Sequence, residues 1–127
     1  MSKISSELKY TKDHEWVRIS HNEVVVGITD HAQNELTDII FVELPKPGQV
    51  VKKGEVVCVV ESVKSVSEVF SPVTGKVKEG NEKLERAPEL VNKDPYGDGW
   101  LASIVVEDAG ELEGLMSAEE YKKHLGE

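Results

Sequence analysis

The chain has 127 residues and a formal net charge of −9, from 15 basic and 24 acidic side chains. This length suits one domain with a modest core, so we expect a single domain over residues 1–127. The acidic balance argues against nucleic acid or an anionic membrane surface as a partner, because both would repel the chain.

The N-terminal segment and the cysteine content indicate a cytoplasmic protein. The segment MSKISSELKYTKDHEW has no apolar signal-peptide core and no Arg-rich, acid-poor transit pattern. The longest apolar run, from Val56 to Val60, is far shorter than the roughly 20 residues that cross a bilayer. A single cysteine, Cys58, allows no internal disulfide and no cysteine-based zinc site. We therefore expect a soluble protein in the cytoplasm.

The first predicted elements are a strand, a second strand, a short helix and a third strand. They correspond to the segments EWVRIS, VVVGI, DHAQNEL and IIFVEL, which begin at Glu15. Asp30, with Gln33 three residues later, predicts a capping-box start for a helix of about two turns. Pro45, Pro47 and Gly48 then predict a turn.

Two valine-rich strands follow, GEVVCVVESV and SVSEVF. The polar stretch ESVKSVSE joins them and is best satisfied as a hairpin whose loop faces water. Lys64 falls between the strands, so the pattern predicts a lysine at the tip of a β-hairpin.

The rest of the chain predicts short strands and turns, and then helices. The segment SPVTGKVKEGN is divided by proline and glycine, and Pro88 suits the first turn of a short helix PELVNK. Trp100 to Val106 is predicted as a strand. Ser117, with Glu120 three residues later, predicts the start of a C-terminal helix. The predicted topology is mostly β.

Lys64 is the first candidate for a functional residue. An exposed lysine is most often only a solvated charge. Its neighbours Ser62, Val63, Ser65 and Val66 are compact and would not obstruct an approaching enzyme. An acyl group on its amine would form a neutral amide, and the lysine stem plus the acyl chain would make a swinging arm on a rigid support.

The other candidate sites are weaker, and we expect no catalytic residue and no metal ion. No two histidines have the i, i+4 spacing of a helical ligand pair. Cys58 could be paired with a histidine as nucleophile and base, but it lies among valines, where a free cysteine usually packs in the core. The acidic and histidine side chains considered for a metal site are His14, Glu15, Asp30, His31, Glu35 and Asp38.

The segment ESVKS resembles the lipoyl-attachment region of the H proteins of the glycine cleavage system. The resemblance extends to Gly54 and Glu55 before it and to Pro72, Gly75, Val77 and Asn81 after it. Further blocks, YTKDHEWV, VGITDHAQ, FVELP, SPVTGKV and NEKLERAPELVNKDPYGDGWL, resemble the same family in the same order and cover nearly the whole chain.

The resemblance implies a fold and an attachment site. The fold would be mostly β, a hybrid barrel-sandwich of the lipoyl/biotinyl carrier type with short flanking helices and a C-terminal helix. Lipoic acid would be joined by an amide to Lys64, within a segment that includes Ser62 and Val63. Glu61 would be the acidic residue three positions before the lysine, and Ser65 stands where the family often has alanine.

The resemblance also implies a non-catalytic carrier, expected to be a monomer. Its lipoyl group would accept an aminomethyl group from a glycine decarboxylase (P protein) and present it to an aminomethyltransferase (T protein). A dihydrolipoyl dehydrogenase (L protein) would reoxidise it, and a lipoate ligase or a lipoyl/octanoyl transferase would attach it. Glu15 and Glu68 are candidates for a cleft that receives the loaded arm, unless both are only solvated charges.

Several alternatives remain open from the sequence. A biotin carrier usually resembles a Met-Lys-Met pattern, and Val63 and Ser65 depart from it. A lipoyl domain of a 2-oxoacid dehydrogenase more often has aspartate before the lysine and a Pro/Ala-rich linker. An enzyme that uses Cys58 with His14 or His31, and a module that relays lipoyl groups to other carriers, are the remaining classes.

Overall fold

The computed structural model describes residues 3–127, which form two antiparallel sheets. The six-stranded sheet has the order β1-β2-β3-β9-β8-β5, and the three-stranded sheet has the order β4-β6-β7. The strands are β1 (Lys9–Tyr10), β2 (Glu15–Ser20), β3 (Glu23–Ile28), β4 (Ile39–Glu43), β5 (Val50–Val51), β6 (Val56–Ser62), β7 (Val66–Phe70), β8 (Gly75–Gly80) and β9 (Ala102–Val106).

Short helices lie between the strands and at the C-terminus. They are α1 (Asp30–Leu36), α2 (Lys83–Arg86), α3 (Leu90–Lys93) and α4 (Ala118–Leu125), with a 3₁₀ helix at Ala109–Gly114. None of the helices in the described part of the chain is long and apolar enough to span a membrane.

Of the two capping boxes that the sequence predicts, at α1 and α4, only the one at α4 is present. Ser117 caps α4, and the reciprocal bond between its backbone and the Glu120 side chain completes the predicted capping box. Helix α1 begins at Asp30, but the predicted capping box of Asp30 and Gln33 is wrong, because the Thr29 hydroxyl accepts the hydrogen bond from the Ala32 amide and is the N-cap. Gln33 instead donates to the Asp30 carboxylate within the helix.

The core lies between the two sheets and is built largely of valines. Val17, Val24 and Val26 from the large sheet pack with Val42 and Val60 from the small one, all at most 3% exposed. Burial of apolar area in this layer stabilises the fold at roughly 25 cal/mol per Å². The predicted mostly-β hybrid barrel-sandwich with short helices and a C-terminal helix is confirmed.

A second cluster of buried residues fixes the start of β2. Trp16 is fully buried, and its indole nitrogen donates to the Pro95 carbonyl at 2.9 Å. Its ring lies over Gly27 on β3, where any Cβ atom would come within 2.5 Å of the ring. Tyr10 and Tyr121 stack beside it at 4.7 Å between ring centroids, which ties α4 to β1.

Candidate functional site: a hairpin lysine beside a cleft

The β6–β7 hairpin turns within residues 62–65 and is held by one buried serine. The Ser62 hydroxyl accepts hydrogen bonds from the Lys64 amide at 3.1 Å and the Ser65 amide at 3.0 Å. The Ser62 amide donates to the Ser65 carbonyl at 2.8 Å, and the Val63 amide donates to the Asp38 carbonyl. The turn is therefore fixed by the Ser62 hydroxyl, by its own backbone and by the residue that precedes β4, while the side chains of Val63 and Lys64 remain exposed.

Lys64 lies at this tip, as the sequence predicted, and its side chain lies toward α1. The Lys64 Nζ donates to the Glu35 carbonyl oxygen at 3.3 Å, in the last turn of that helix. Free carbonyls at a helix C-terminus carry partial negative charge and attract a cation. No local pattern predicts this contact, because it joins residues 29 positions apart.

A cleft of about 330 Å³ opens beside the lysine. It runs between the hairpin, α1 and the segment that leads into β2, and both predicted cleft carboxylates, Glu15 and Glu68, lie in its wall. The remaining lining residues are Asp13, His14, Ile28, Ala32, Glu35, Leu36, Val60, Lys64, Ser65, Ser67 and Val69.

Glu15 and Glu68 have different environments. Glu15 is 3% exposed, and its two oxygens accept from the Thr11 hydroxyl at 2.7 Å and from the Phe70 amide at 2.9 Å. Burial raises the pKa of the Glu15 carboxyl, and these two donors oppose the rise. Glu15 thus joins β2 to β7 at the floor of the cleft, whereas Glu68 is exposed at its rim.

Three histidines and a tyrosine cluster where His14, which lines the cleft, meets α1 and α4. The rings of His14 and His31 lie 4.6 Å apart, and those of His14 and His124 lie 5.6 Å apart. The Tyr121 hydroxyl lies 2.8 Å from His14 Nδ1 and 2.7 Å from the Thr29 hydroxyl. Burial, and then the two neighbouring histidines, lower the pKa of His14. Sequence reasoning considered His14 and His31 but missed His124 and Tyr121, which join them only in the tertiary fold.

The residues considered for a nucleophile or a metal site, Cys58 and His31, contribute to packing and to an ion pair. Cys58 is 2% exposed in β6, and burial raises the pKa of its thiol to about 12. Its predicted place in the core is confirmed. Across residues 3–127, no group of three His, Cys, Asp or Glu side chains is arranged to hold a metal ion. His31 instead pairs with Glu35 at 2.6 Å on α1.

Glu61 is half-buried near the end of β6, between Phe41 of β4 and Val66 of β7. The attachment segment therefore combines a buried serine, a half-buried carboxylate and an exposed lysine. A small two-sheet β domain that presents a lysine on a tight hairpin beside a cleft defines a class, the lipoyl/biotinyl carrier domains.

Comparisons with known proteins identify the family within this class. The family model described as "Glycine cleavage H-protein" matches residues 8–127. The glycine cleavage system H protein of Coprothermobacter proteolyticus is 57% identical over 126 residues, which are 98% of this chain and 99% of that protein. The H protein of Marinobacter nauticus is 54% identical over 126 residues, 98% of this chain and 97% of its own.

A solved structure agrees with these relatives. The crystal structure of a glycine cleavage system H protein from Mycobacterium marinum superposes with a TM-score of 0.90 at 38% identity, covering 98% of this chain and 100% of that one. The chain belongs to the glycine cleavage H-protein family, the lipoyl carriers of the glycine cleavage system.

Proposed function

We propose that Lys64 carries the lipoyl group through an amide on its Nζ and shuttles an aminomethyl group between the enzymes of glycine cleavage. The observation that supports this most directly is the exposed Lys64 on a rigid turn beside a cleft of about 330 Å³. When bound, the lipoyl group would supply a disulfide that accepts the aminomethyl group and is reduced in the process.

The surroundings of Lys64 fit an acylated arm. Acylation removes the positive charge of Nζ but keeps one N–H, which can still donate to the Glu35 carbonyl that Lys64 contacts now. An arm that keeps this direction enters the cleft rather than solvent. Ser65 and Ser67 give the entrance small side chains on the hairpin side.

Glu15 and Glu68 are our candidates for residues that hold the amine of a loaded arm. A carboxylate buried near an ammonium group gains a charge-assisted hydrogen bond that is stronger than a neutral one. Glu15 offers this at the floor of the cleft and Glu68 at the rim. Their different burial supports different roles. Glu15 would bind the amine of an arm enclosed in the cleft, and Glu68 would bind the amine as the arm enters or leaves it.

The chemical steps are assigned to partner enzymes, so the chain itself is proposed to be non-catalytic. The partners are a glycine decarboxylase, an aminomethyltransferase and a dihydrolipoyl dehydrogenase, with a lipoate ligase or lipoyl/octanoyl transferase for attachment. We also propose a monomer in the cytoplasm, where a free, buried Cys58 needs no oxidising environment.

The test is the intact mass of the protein after incubation with a lipoate ligase, ATP and free lipoate, followed by peptide mapping. We expect one lipoyl increment on the peptide that contains Lys64. Lys64→Arg should abolish the increment, whereas the matched variant Lys76→Arg, at an exposed lysine on β8, should retain it. An increment that persists in Lys64→Arg, or no increment in the unaltered chain, would refute the proposal.

A further inference from the structure

Most of the exposed large apolar side chains in residues 3–127 surround the Lys64 hairpin. Ile40 is 56% exposed, Phe41 51%, Val63 66% and Val66 62%. We call these four residues the outer patch. Apolar side chains grouped on a surface, unlike single ones, mark a site of interaction.

Strand register places the outer patch on the face of the small sheet that is turned away from the core. Phe41 lies opposite Glu61, and Glu61 lies opposite Val66, so the three side chains form one row across β4, β6 and β7. The neighbouring row, Val42 and Val60, is buried and points inward. A bulge between Ile39 and Phe41 adds Ile40 to the exposed set.

The two outer strands of this sheet, β4 and β7, are edges, since the strand order is β4-β6-β7. Exposed apolar residues on an edge strand invite unwanted pairing, and proteins usually replace them by charged residues or cover them. Phe41 and Val66 therefore carry a cost in the free chain, which a function in binding would explain.

The charge around the outer patch specifies its partner. Residues 39–43 and 56–70 contain three carboxylates, Glu43, Glu61 and Glu68, and one basic residue, Lys64. Glu43 and Glu68 flank Val59 in the next outward row. A matching partner has an apolar contact surface bordered by Lys and Arg side chains.

We propose that the outer patch is the docking surface for the enzyme that acylates Lys64, an inference that rests on the proposed function of that lysine. Acylation requires the partner's active site to reach Nζ itself, so the partner must contact the protein next to the hairpin. Enzymes that act on the finished arm meet its far end, beyond the four-carbon lysine stem and the acyl chain. They therefore depend less on side chains at the base of the arm.

The docked reaction is a simple acyl transfer. The Lys64 nitrogen attacks the carbonyl carbon of lipoyl-adenylate, the N–C bond forms, and the bond from that carbon to the phosphate oxygen breaks. AMP leaves with the electron pair, and the protons displaced from the ammonium group go to solvent. ATP and lipoate supplied to the ligase provide the adenylate.

The test compares two double variants of the full chain as ligase substrates. Phe41→Thr/Val66→Thr alters the outer patch, and Ile19→Thr/Val50→Thr alters two exposed apolar residues of the large sheet. Threonine keeps the preference for strand in all four positions. We expect kcat/KM for lipoylation to fall about tenfold or more in the first variant and to change less than about twofold in the second. Equal rates in both variants, with the unaltered chain fully loaded, would overturn the docking surface but not the function of Lys64.

Two further measurements distinguish the acylating enzyme from other possible occupants of the outer patch. Fully lipoylated forms of both variants should be reduced by dihydrolipoyl dehydrogenase and NADH at the same rate as the unaltered chain. A tenfold loss there would overturn the assignment to the acylating enzyme. Sedimentation at assay concentration should give a monomer for the unaltered chain, and a dimer that Phe41→Thr/Val66→Thr dissociates would assign the patch to a second copy instead.

Charge reversal at Glu43 tests the acidic border of the outer patch separately. Glu43→Lys should raise the KM of the ligase reaction at low salt, and the difference should shrink as salt screens it. Glu113→Lys makes the same change in the 3₁₀ helix and should leave KM unaltered. An equal effect of the two variants would show that net charge alone matters, and would contradict a specific surface at the small sheet.

Discussion

Glu15 shows how one side chain serves both the fold and the cleft. Its burial disfavours the ionised carboxylate, which is why its pKa is raised, while the Thr11 hydroxyl and the Phe70 amide stabilise that charge. The Phe70 amide lies at the end of edge strand β7, where no neighbouring strand accepts from it. Glu15 therefore supplies a hydrogen bond that the small sheet cannot provide.

We predict that Glu15→Ala lowers the free energy of unfolding by about 1–3 kcal/mol, because the Phe70 amide is left without an acceptor. Removal of the carboxylate also relieves its desolvation cost, so the loss stays toward the lower part of that range. Urea denaturation followed by tryptophan fluorescence measures it. Glu68→Ala, which removes an exposed carboxylate of the same cleft, should change the value by no more than about 0.5 kcal/mol. A neutral result for Glu15→Ala would show that this bond contributes nothing to the fold.

At the residue scale, the sequence predicts those features that depend on neighbouring residues in the chain. Lys64 between two valine-rich segments, and Cys58 within one, follow from pattern alone. Glu15 was placed in the cleft by resemblance, but its partner Phe70 is 55 residues away, and no spacing rule links them. The same holds for His14 and Tyr121, 107 residues apart.

The hairpin is the element on which presentation of the lysine depends. Ser62 is buried, and its hydroxyl bridges the amides of Lys64 and Ser65, so it acts as a local substitute for the hydrogen bonds of a ladder. This arrangement fixes the backbone at the tip and leaves the lysine side chain exposed.

We predict that Ser62→Ala loosens the tip without unfolding the domain. The amides of Lys64 and Ser65 should lose protection from hydrogen exchange, and the free energy of unfolding should fall by about 1 kcal/mol, the contribution of a typical hydrogen bond. Ser65→Ala is the matched control, since the backbone of Ser65 rather than its hydroxyl makes the turn bonds. Unchanged exchange of the Lys64 amide in Ser62→Ala would contradict the role of the hydroxyl.

Elements were predicted best where periodicity and capping agree. The strands β2, β3, β6 and β7, the hairpin and α4 lie close to their predicted positions. The helix at Lys83–Arg86 was missed, because four residues give no periodic signal. The predicted helix from Pro88 is confined to Leu90–Lys93, and the strand predicted from Trp100 begins at Ala102, since the turns around them set their bounds.

Across the whole molecule, the site is assembled from segments that lie far apart in the chain. One apolar cluster includes residues of both sheets, and a second joins β1, β2 and α4. This supports our proposal that residues 1–127 fold as a single domain. The histidine cluster connects the same regions, because His14 precedes β2, His31 lies on α1 and His124 on α4.

Protonation of His14 should weaken this assembly. A chain of hydrogen bonds in which Thr29 donates to Tyr121, and Tyr121 donates to Nδ1, satisfies all three groups when the His14 ring is neutral. A protonated ring would have a donor at Nδ1 and a positive charge beside His31 and His124. Because the pKa of His14 is lowered in the folded state, the unfolded chain binds the proton more readily. The stability that the folded chain gains while His14 is neutral is fully present above the unfolded pKa of about 6.5. It is lost as the pH falls through the lower pKa that His14 has in the folded state.

We therefore predict that the free energy of unfolding decreases between about pH 7.5 and 5.5, and that His14→Asn reduces this slope. His21→Asn is a matched control, because both histidines have a positive φ, 68° and 55°, which asparagine tolerates, while His21 is exposed in the β2–β3 turn. Urea titrations of the three proteins at several pH values measure the slopes, and all other titrating groups are common to them. A His14→Asn slope equal to that of the unaltered chain would mean that the cluster remains neutral or is rearranged without cost. A reduced slope in His21→Asn alone would place the pH dependence outside the cleft.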